Sequence, residues 1–268
     1  MRVFVKVMKY LALALAISII AGIISSIYYL GDGIGNLFKN DEVSDNVYTL
    51  EFEDNINKLN VNVNFSKLVI KSDEKFRVES NNKSVKVNNN NGILKIEDGK
   101  NITNNIITIY IPNNFIFDEV KIDTGVSSVN ISSISSYDID LNLGAGNLVI
   151  DSLTAIDECD IDTGAGKTVI NNADISNLDL DIGVGQFIYN GIMRNKASID
   201  AGIGEVSINL KNQDSYMFYV EKGIGNITID GISVNDDTTY GNGSNKVDIS
   251  GGIGNIKINF DNNGGNYE

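Results

Sequence analysis

The sequence predicts an all-β protein: a β-solenoid (β-helix-like) built from single-stranded repeats, with a transmembrane helix at its amino terminus. Three observations lead to this fold class. A Gly-x-Gly-type motif returns seven times at nearly constant spacing, apolar and polar residues alternate on both sides of it, and an uncharged run of 21 residues lies near the amino terminus. Repeats of about 20 to 50 residues are typical of solenoids and propellers, and this period is too short for a propeller blade.

The amino-terminal segment is predicted to anchor the chain in a membrane. Three basic residues in the tail 1–9 precede the uncharged run 10–30, which is long enough to cross a bilayer core of about 30 Å. The positive-inside rule places the tail in the cytoplasm and the remainder outside. A cleaved signal peptide is the alternative, although the run exceeds the roughly 7 to 15 residues of a signal core. We therefore expect a single-pass protein of the cell membrane, with a polar linker at 31–46 and an extracytoplasmic carboxy-terminal domain.

Short strands are predicted next, because brief alternating runs are separated by Asn and Asp clusters. The runs are 47–52, 59–63, 68–70, 76–78, 85–87, 94–96 and 106–111. We expect less regular coils of the same sheet system here, at the membrane-proximal end, where they cover an otherwise open edge. The only proline, Pro112, is expected at a strand end, where a missing donor is tolerated.

The seven repeats define the regular coils, which are expected from about residue 120. Their first glycines are Gly125, Gly144, Gly164, Gly183, Gly202, Gly223 and Gly252. We interpret them as structural corners, because a tight corner needs φ > 0 or a close backbone approach. A dinucleotide loop would need a third glycine that opens a helix, and a calcium-binding nonapeptide repeat would need Asp after the glycines. The solenoid domain is predicted over 47–260, followed by a polar tail at 261–268.

Four columns of apolar residues, counted from the first glycine of each repeat, are predicted to face inward. Positions −5 and −3 form the strand before the corner, and positions +1 and +6 belong to the strand after it. Alternation with period two is the pattern of a half-buried strand. Each unit is therefore expected to be strand, corner, strand and loop, and stacking the units buries both strands.

Acidic residues are also placed in columns, at −4 and −2. Beyond the predicted span the chain carries 18 basic and 35 acidic residues, a balance of −17, which argues against nucleic acid or an anionic membrane surface as a partner. Side chains two apart share a strand face, so the columns predict one acidic face. It comprises Asp140, Asp160, Asp162, Asp179, Asp181, Asp200 and Glu221.

This acidic face has three interpretations. Asp160, Asp162, Asp179 and Asp181 could hold a hard cation such as calcium through oxygen ligands, or the face could dock a basic polymer. The alternative is a solvated face that keeps the protein soluble. No other cofactor is expected.

Composition limits the chemistry. The chain has no histidine and one cysteine, so Ser-His-Asp and Cys-His sites are excluded, the usual zinc ligand sets are handicapped, and no intrachain disulfide can form. Cys159 is predicted to be a buried structural thiol. Cleavage of an acidic polysaccharide would need clustered basic residues, and beyond the tail the only arginines are Arg77 and Arg194, far apart in sequence. No catalytic residue is assigned.

The one long step between repeats, at 235–245, is interpreted as a flexible loop and the first candidate for a partner contact.

The segment ITIYIPNNFIFDEVKIDTG from Ile106, followed by repeated hydrophobic-Asp-x-Gly-x-Gly-x-x-x-Ile coils, carries a resemblance. Over roughly residues 47–260 the chain resembles the bacterial toast-rack family of β-solenoid domains, which bears the label "putative adhesin". The resemblance implies the fold and supplies no catalytic motif.

Together these expectations favour a non-catalytic, membrane-anchored surface module that binds or scaffolds in the bacterial envelope, with a cell-wall polymer or an envelope protein as partner. An envelope-stress or regulatory component that acts through a membrane partner is the alternative. A carboxylate-dependent polysaccharide-processing enzyme is a further one.

Overall fold

The computed structural model describes residues 47–52, 56–98 and 105–261. The described residues all belong to the unit 41–268. The predicted tail 1–9, span 10–30 and linker 31–46 lie outside the described residues, as do residues 262–268. Within the described part of the chain, no helix is both long enough and apolar enough to span a bilayer.

The described residues form an all-β fold, as the alternating sequence predicts. One 3₁₀ turn, Gln213–Ser215, accompanies fourteen strands that belong to a single sheet system. The strands are β1 Tyr48–Phe52, β2 Lys58–Val63, β3 Ser66–Asp73, β4 Phe76–Ser80, β5 Lys86–Asn90, β6 Ile93–Glu97, β7 Asn105–Pro112, β8 Phe117–Ile131, β9 Ile134–Lys211, β10 Tyr216–Glu221, β11 Ile224–Ile229, β12 Ile232–Ser233, β13 Thr238–Gly241 and β14 Asn245–Asp261. Pro112 ends β7, as expected.

The repeats stack as parallel coils, which we number 1 to 7 by their first glycines. Coil 1 is β8, and it pairs in parallel with the start of β9 at a register of 19 residues, for example Ile122 with Leu141. Coils 2 to 5 all lie in β9, which runs without interruption for 78 residues. The loop predicted between units is therefore absent from β9, because each coil continues directly into the next.

The order of stacking departs from chain order at both ends. We call β2 with β3 coil A, and β6 with β7 coil B. Coil A pairs with coil 1 on one side and with coil B on the other. At the opposite end, coil 7 (β14) pairs with the end of β9 on one side and with coil 6 (β10 and β11) on the other. The spatial order is B, A, 1, 2, 3, 4, 5, 7, 6.

Antiparallel strands cover the outermost coils. At one end β4 pairs with β7, β1 pairs with β4, and β5 pairs with β6. At the other end β13 pairs with β10, and β12 pairs with β11. Unpaired strand edges are templates for aggregation, so these strands protect the stack. The prediction that strands before the repeats cover an open edge is confirmed, and a second cap exists that the sequence did not suggest.

The core lies inside the coils, and three of the four predicted inward columns are confirmed. Every residue at −5, −3 and +6 is buried. The prediction for +1 is wrong, because those residues are half-buried or exposed, and Ile224 is 63% exposed. The side chains at position +4 are buried instead. They belong to Val129, Leu148, Thr168, Phe187, Val206, Ile227 and Ile256.

The alternation changes phase at the corner, where six of the seven motifs have a second glycine. Four of these glycines, Gly166, Gly185, Gly204 and Gly254, have φ between +143° and +145°, a region that residues with a Cβ rarely enter. The bend shifts the inward-facing set by one residue, from odd to even positions.

A row of amide side chains at +7 crosses the coils on the strand after the corner. Asn209 donates from Nδ2 to Oδ1 of Asn190 (2.7 Å), and Asn259 donates to Oδ1 of Asn209 (2.9 Å). Asn171 donates to Oδ1 of Asp151 (3.2 Å). Stacked amides satisfy each other as donor and acceptor, so the row ties neighbouring coils together.

Candidate functional site

A long groove follows the glycine corners across the stack. Its volume is about 840 Å³, and three consecutive residues from each of seven coils line it: positions −2, −1 and 0 of coils 1 to 5 and 7, and residues 62–64 of coil A. Apart from Asn64, which lies in the bend between β2 and β3, the lining residues of coil A and coils 1 to 5 and 7 belong to strands. The groove therefore results directly from the repetition of one sequence position.

The corner glycines form one side of the groove because nothing larger fits. A Cβ at Gly164 would lie 2.0 Å from the carbonyl oxygen of Gly144, and one at Gly252 would lie 1.9 Å from that of Gly202. Real Cβ atoms do not approach oxygen so closely, so backbone crowding between coils accounts for this column. The seven predicted corner glycines occupy these crowded positions.

A second glycine column was overlooked in reasoning from the sequence. The second glycines are Gly146, Gly166, Gly185, Gly204, Gly225 and Gly254. A Cβ at any of them would lie 1.7 to 1.9 Å from the backbone oxygen of the residue opposite it on a neighbouring coil. Five of these six also have φ between +133° and +145°. The signal was present in the second glycine of six of the seven motifs.

Coil A closes the groove at one end without a glycine corner. Asn64 stands beside Gly125, and its backbone oxygen accepts a hydrogen bond from Val126 N at 2.6 Å. Asp98 holds this corner, because its Oδ2 accepts from Asn64 N (2.8 Å) and from Ser66 Oγ (3.0 Å). A carboxylate that accepts hydrogen bonds from successive donors therefore fixes the corner of coil A.

The middle column of the groove is mainly apolar. It consists of Val63, Thr124, Leu143, Thr163, Ile182, Ala201 and Gly251. Val63 and Ile182 are buried, whereas Leu143 and Ala201 are half-buried and reach the groove surface. A ligand in the groove would therefore contact the hydrocarbon of Leu143 and Ala201.

The −2 column forms the polar wall. In spatial order it reads Asn62, Asp123, Asn142, Asp162, Asp181, Asp200 and Ser250. Because coil 7 lies between coils 5 and 6, Ser250 separates Glu221 from Asp200, and Glu221 does not line the groove. The predicted face is thus reduced on this wall to three consecutive acids, Asp162, Asp181 and Asp200.

The remaining predicted acids lie on the outer face beside the groove. Asp140, Asp160 and Asp179 are neighbours at −4, between Lys121 on coil 1 and Ser198 on coil 5. Lys121 Nζ contacts Asp140 Oδ2 at 2.6 Å, and Asn142 Nδ2 donates to Asp140 Oδ1 (2.7 Å) and to Asp123 Oδ1 (3.0 Å). The coil 1 end of the acidic face is therefore compensated by donors.

The acids of coils 3 to 5 lack this compensation. Among the described residues, no basic side chain lies within ion-pair distance of Asp162, Asp181 or Asp200. Burial, followed by the charges of Asp162 and Asp200, raises the pKa of Asp181. Burial and the charge of Asp179 likewise raise the pKa of Asp160. Like charges disfavour each other's ionised form, so this wall attracts positive charge.

The calcium hypothesis finds no converging ligand set. Groups of three or more His, Cys, Asp or Glu side chains able to hold a metal ion do not occur in residues 47–52, 56–98 and 105–261. Asp160, Asp162, Asp179 and Asp181 lie in parallel rows on two neighbouring coils, and side chains of such rows extend side by side rather than surround a common point.

The other singled-out residues lie away from the groove. Cys159 is fully buried, and burial raises the pKa of its thiol. Arg77 pairs with Asp73 at 2.8 Å and also with Glu79, and Arg194 pairs with Asp174 through two hydrogen bonds. Both arginines are thus engaged in ion pairs.

The expectation of a flexible loop at 235–245 is wrong. Four of these residues form β13, which pairs with β10 in antiparallel register. Lys222 N also donates to Asp236 Oδ1 at 2.7 Å, and Lys222 Nζ donates to the backbone oxygen of Val234 at 2.8 Å. The segment is an edge cap, since its backbone donors and acceptors pair with coil 6.

Comparison with known proteins identifies the fold family. The model of the Toastrack DUF4097 family matches residues 40–259. The chain belongs to this family. No curated protein matches this Toastrack chain.

Among solved structures, this Toastrack domain is similar to a putative adhesin from Bacteroides fragilis, with 16% identity and a TM-score of 0.51 over 82% of this chain and 100% of the other. It also matches a putative cell adhesion protein from Clostridium sporogenes, with 19% identity and a TM-score of 0.36 over 81% and 99%. A putative adhesin from Parabacteroides distasonis has 16% identity and a TM-score of 0.38 over 80% and 98%. At these identities the first similarity supports the fold alone.

Proposed function

We propose that this Toastrack protein is a non-catalytic surface module of the bacterial envelope that binds an extended ligand along its corner groove. We further propose that its amino-terminal segment anchors it in the cell membrane. The observation that carries the proposal is the continuous groove of about 840 Å³ across seven coils. A continuous surface of this kind suits a linear ligand, because successive coils present the same backbone positions.

The absence of catalysis is inferred from the chemistry of the groove. Its lining consists of glycine, aliphatic, Thr, Ser, Asn and Asp side chains, and the chain has no histidine. Enzymes that act on polyanions need basic groups to stabilise developing negative charge. Here Arg77 and Arg194 are held in ion pairs elsewhere. The names of the similar structures, putative adhesins, agree with a binding role.

Charge is distributed unevenly along the chain, and this favours an envelope role in which the entry end lies nearer an anionic membrane. Residues 47–122 contain ten basic and ten acidic side chains, whereas 123–261 contain seven basic and twenty acidic. The chain therefore enters the stack at a neutral end, and the acidic coils follow. Anionic lipid surfaces repel negative charge within about a Debye length.

Co-sedimentation of the full-length protein with purified cell-wall sacculi tests the proposed binding. The groove variant Ala201→Phe places a large side chain in the middle column. The control Ser207→Phe makes the same addition on the strand after the corner of the same coil, where Ser207 is half-buried and outside the groove. We expect wild type and Ser207→Phe to pellet with the walls and Ala201→Phe to remain in solution.

Equal pelleting of both variants would contradict binding through the groove, provided both melt like the wild type. If no variant pellets and in-cell cross-linking instead recovers one membrane protein, the regulatory alternative is correct. The anchor is tested separately by sequencing the amino terminus of the mature protein. A mature chain that starts near residue 31 would show cleavage instead of anchoring.

A further inference from the structure

We propose that the groove takes a linear aliphatic polyamine, with its hydrocarbon on the middle column and its ammonium groups on the −2 wall. The proposal rests on the proposed function, because it concerns the same groove. It follows from three properties of the groove: a mainly apolar middle column, a row of three neighbouring carboxylates on coils 3 to 5, and continuity across the coils.

The two long sides of the groove require different chemistry from one ligand. The middle column offers Leu143, Ile182 and Ala201 along its length, and the wall beside it offers Asp162, Asp181 and Asp200. A ligand that satisfies both sides must combine hydrocarbon with positive charge where it crosses coils 3 to 5. Apolar burial supplies contact area without direction, whereas the carboxylates select positive charge at defined intervals.

The spacing of the carboxylates agrees with that of polyamine nitrogens. Neighbouring coils in a β-sheet lie about 4.8 Å apart, so the three aspartates recur at that interval. Two nitrogens joined by three or four methylene groups lie about 5 to 6 Å apart in an extended chain, from bond lengths near 1.5 Å. One ammonium group can therefore face each carboxylate while the methylene groups between them rest on the middle column.

The dimensions favour a single-file chain. Seven coils at about 4.8 Å give a groove about 30 Å long, and a volume of about 840 Å³ then corresponds to a mean cross-section of about 30 Å². This section accommodates one unbranched chain. The volume lies within the roughly 300 to 1,000 Å³ of small-molecule sites, which are also mainly apolar with a few placed polar groups.

The acids of the wall are among those that have no basic partner in the described residues. Elsewhere in the described residues, Asp73 pairs with Arg77, Glu119 with Lys58, Asp140 with Lys121 and Asp174 with Arg194. Asp162, Asp181 and Asp200 stand next to one another in the groove without such a partner among those residues. A bound polyamine would relieve their mutual repulsion, which gives binding a favourable electrostatic contribution.

Isothermal titration calorimetry of the full-length protein with spermidine tests the inference. The groove variant carries Asp162→Asn, Asp181→Asn and Asp200→Asn, and asparagine suits this column because Asn142 already occupies it. The control carries Asp157→Asn, Asp214→Asn and Asp237→Asn, three exposed acids outside the groove, and changes the net charge by the same amount. Hexaamminecobalt(III), a compact ion with the charge of spermidine, serves as the second titrant.

We expect the groove variant to bind spermidine at least about tenfold more weakly than wild type, since three charge-assisted contacts are lost. The control variant should remain within about twofold, and hexaamminecobalt(III) should bind the wild type more weakly than spermidine. No heat with spermidine, equal weakening in both variants or equal affinity for both titrants would overturn the proposal. Thermal unfolding of each variant verifies its fold. Groove-dependent binding to cell walls without spermidine binding would refute this inference and leave the proposed function standing.

Discussion

Asn259 donates a hydrogen bond from Nδ2 to Oδ1 of Asn209, 2.9 Å away and 50 residues earlier in the chain. The residue of coil 6 in the same column, Asp230, lies between them in sequence but not in space. Coil 7 thus forms both interfaces at this end of the stack, one with coil 5 and one with coil 6. Chain order and stacking order differ here because the chain passes over one coil position and then returns to fill it.

Engineered disulfides can verify this order. Ser207 faces Lys257 in register, and Lys257 faces Thr228. We expect Ser207→Cys with Lys257→Cys to cross-link, and Thr228→Cys with Lys257→Cys to do the same, because adjacent strands lie about 4.8 Å apart. Ser207→Cys with Thr228→Cys should stay reduced, because two strand spacings exceed the reach of a disulfide.

Thiol titration under oxidising conditions measures the three pairs, and Cys159 does not interfere because it is fully buried. A cross-link between positions 207 and 228 in the folded protein would mean that the coils stack in chain order.

Two glycines of one corner should differ sharply in their tolerance of alanine. Gly254 has φ +143°, and a Cβ there would lie 1.8 Å from the backbone oxygen of Gly204. The nearest atom to a Cβ on Gly251 would be Ile227 Cδ1, at 3.2 Å, which is part of a side chain that can move. We expect Gly254→Ala to lower the free energy of unfolding by about 3 kcal/mol or more, and Gly251→Ala by less than about 1 kcal/mol. Urea unfolding of both variants measures the difference, and equal losses would refute the crowding explanation.

The amide row at +7 should contribute to stability. Asn209→Ala removes the donor to Asn190 and the acceptor for Asn259, and a hydrogen bond contributes about 0.5 to 1.5 kcal/mol. We expect a loss of about 1 to 2 kcal/mol in chemical unfolding. Asn147→Ala, at an exposed position of coil 2, is the control and should change the free energy of unfolding by less than about 0.5 kcal/mol. A control that loses as much would indicate a general intolerance of alanine in these strands.

Two aspartates should respond to pH with opposite sign. The pKa of Asp181 is raised by burial and neighbouring acids, so its ionisation destabilises the fold above its folded pKa. The pKa of Asp174 is lowered by its hydrogen bonds with Arg194, so its ionisation stabilises the fold, and that contribution is lost as pH falls through the folded pKa. At neutral pH we expect Asp181→Asn to be more stable than wild type and Asp174→Asn less stable, each by under about 1 kcal/mol because water screens half-exposed charges.

Both differences should shrink as the pH falls towards the ordinary pKa of aspartic acid and below it. Thermal unfolding at a series of pH values measures them. A stabilised Asp174→Asn variant, or a difference for Asp181→Asn that persists in acid, would contradict the assignment.

The sequence predicted three of the buried columns that repeat, and it failed for the change of phase at the corner and for the order of the terminal coils. The columns at −5, −3 and +6 are buried as expected, because alternation within a strand follows directly from backbone geometry. The inward direction predicted for position +1 was wrong, since the alternation changes phase at the corner and +4 is buried instead. The order of coils 6 and 7 could not be read from spacing, because both carry the same motif and fit the same neighbour.

The candidate groove was only partly predictable for the same reason. The sequence shows the acidic columns, but it does not show which acidic residues lie side by side on neighbouring coils. That depends on the stacking order, which places Ser250 rather than Glu221 beside Asp200. The apolar middle column went unnoticed because position −1 varies between Val63, Thr124 and Gly251 and shows no consistent type. Its role appears only when the coils are superposed in space.

The coils that depart from chain order lie at the two ends of the stack, so the number of internal coils is independent of how the ends are capped. At each end of the stack two coils lie in the reverse of their chain order: B and A at one end, and 7 and 6 at the other. The antiparallel caps attach to these terminal coils alone. Coils 2 to 5 follow one another directly, 19 or 20 residues apart. Duplication of one such unit within a gene would lengthen the stack by about 4.8 Å and extend the groove, while both ends remained unchanged. The architecture can therefore be adapted to ligands of different length by copying a single internal segment.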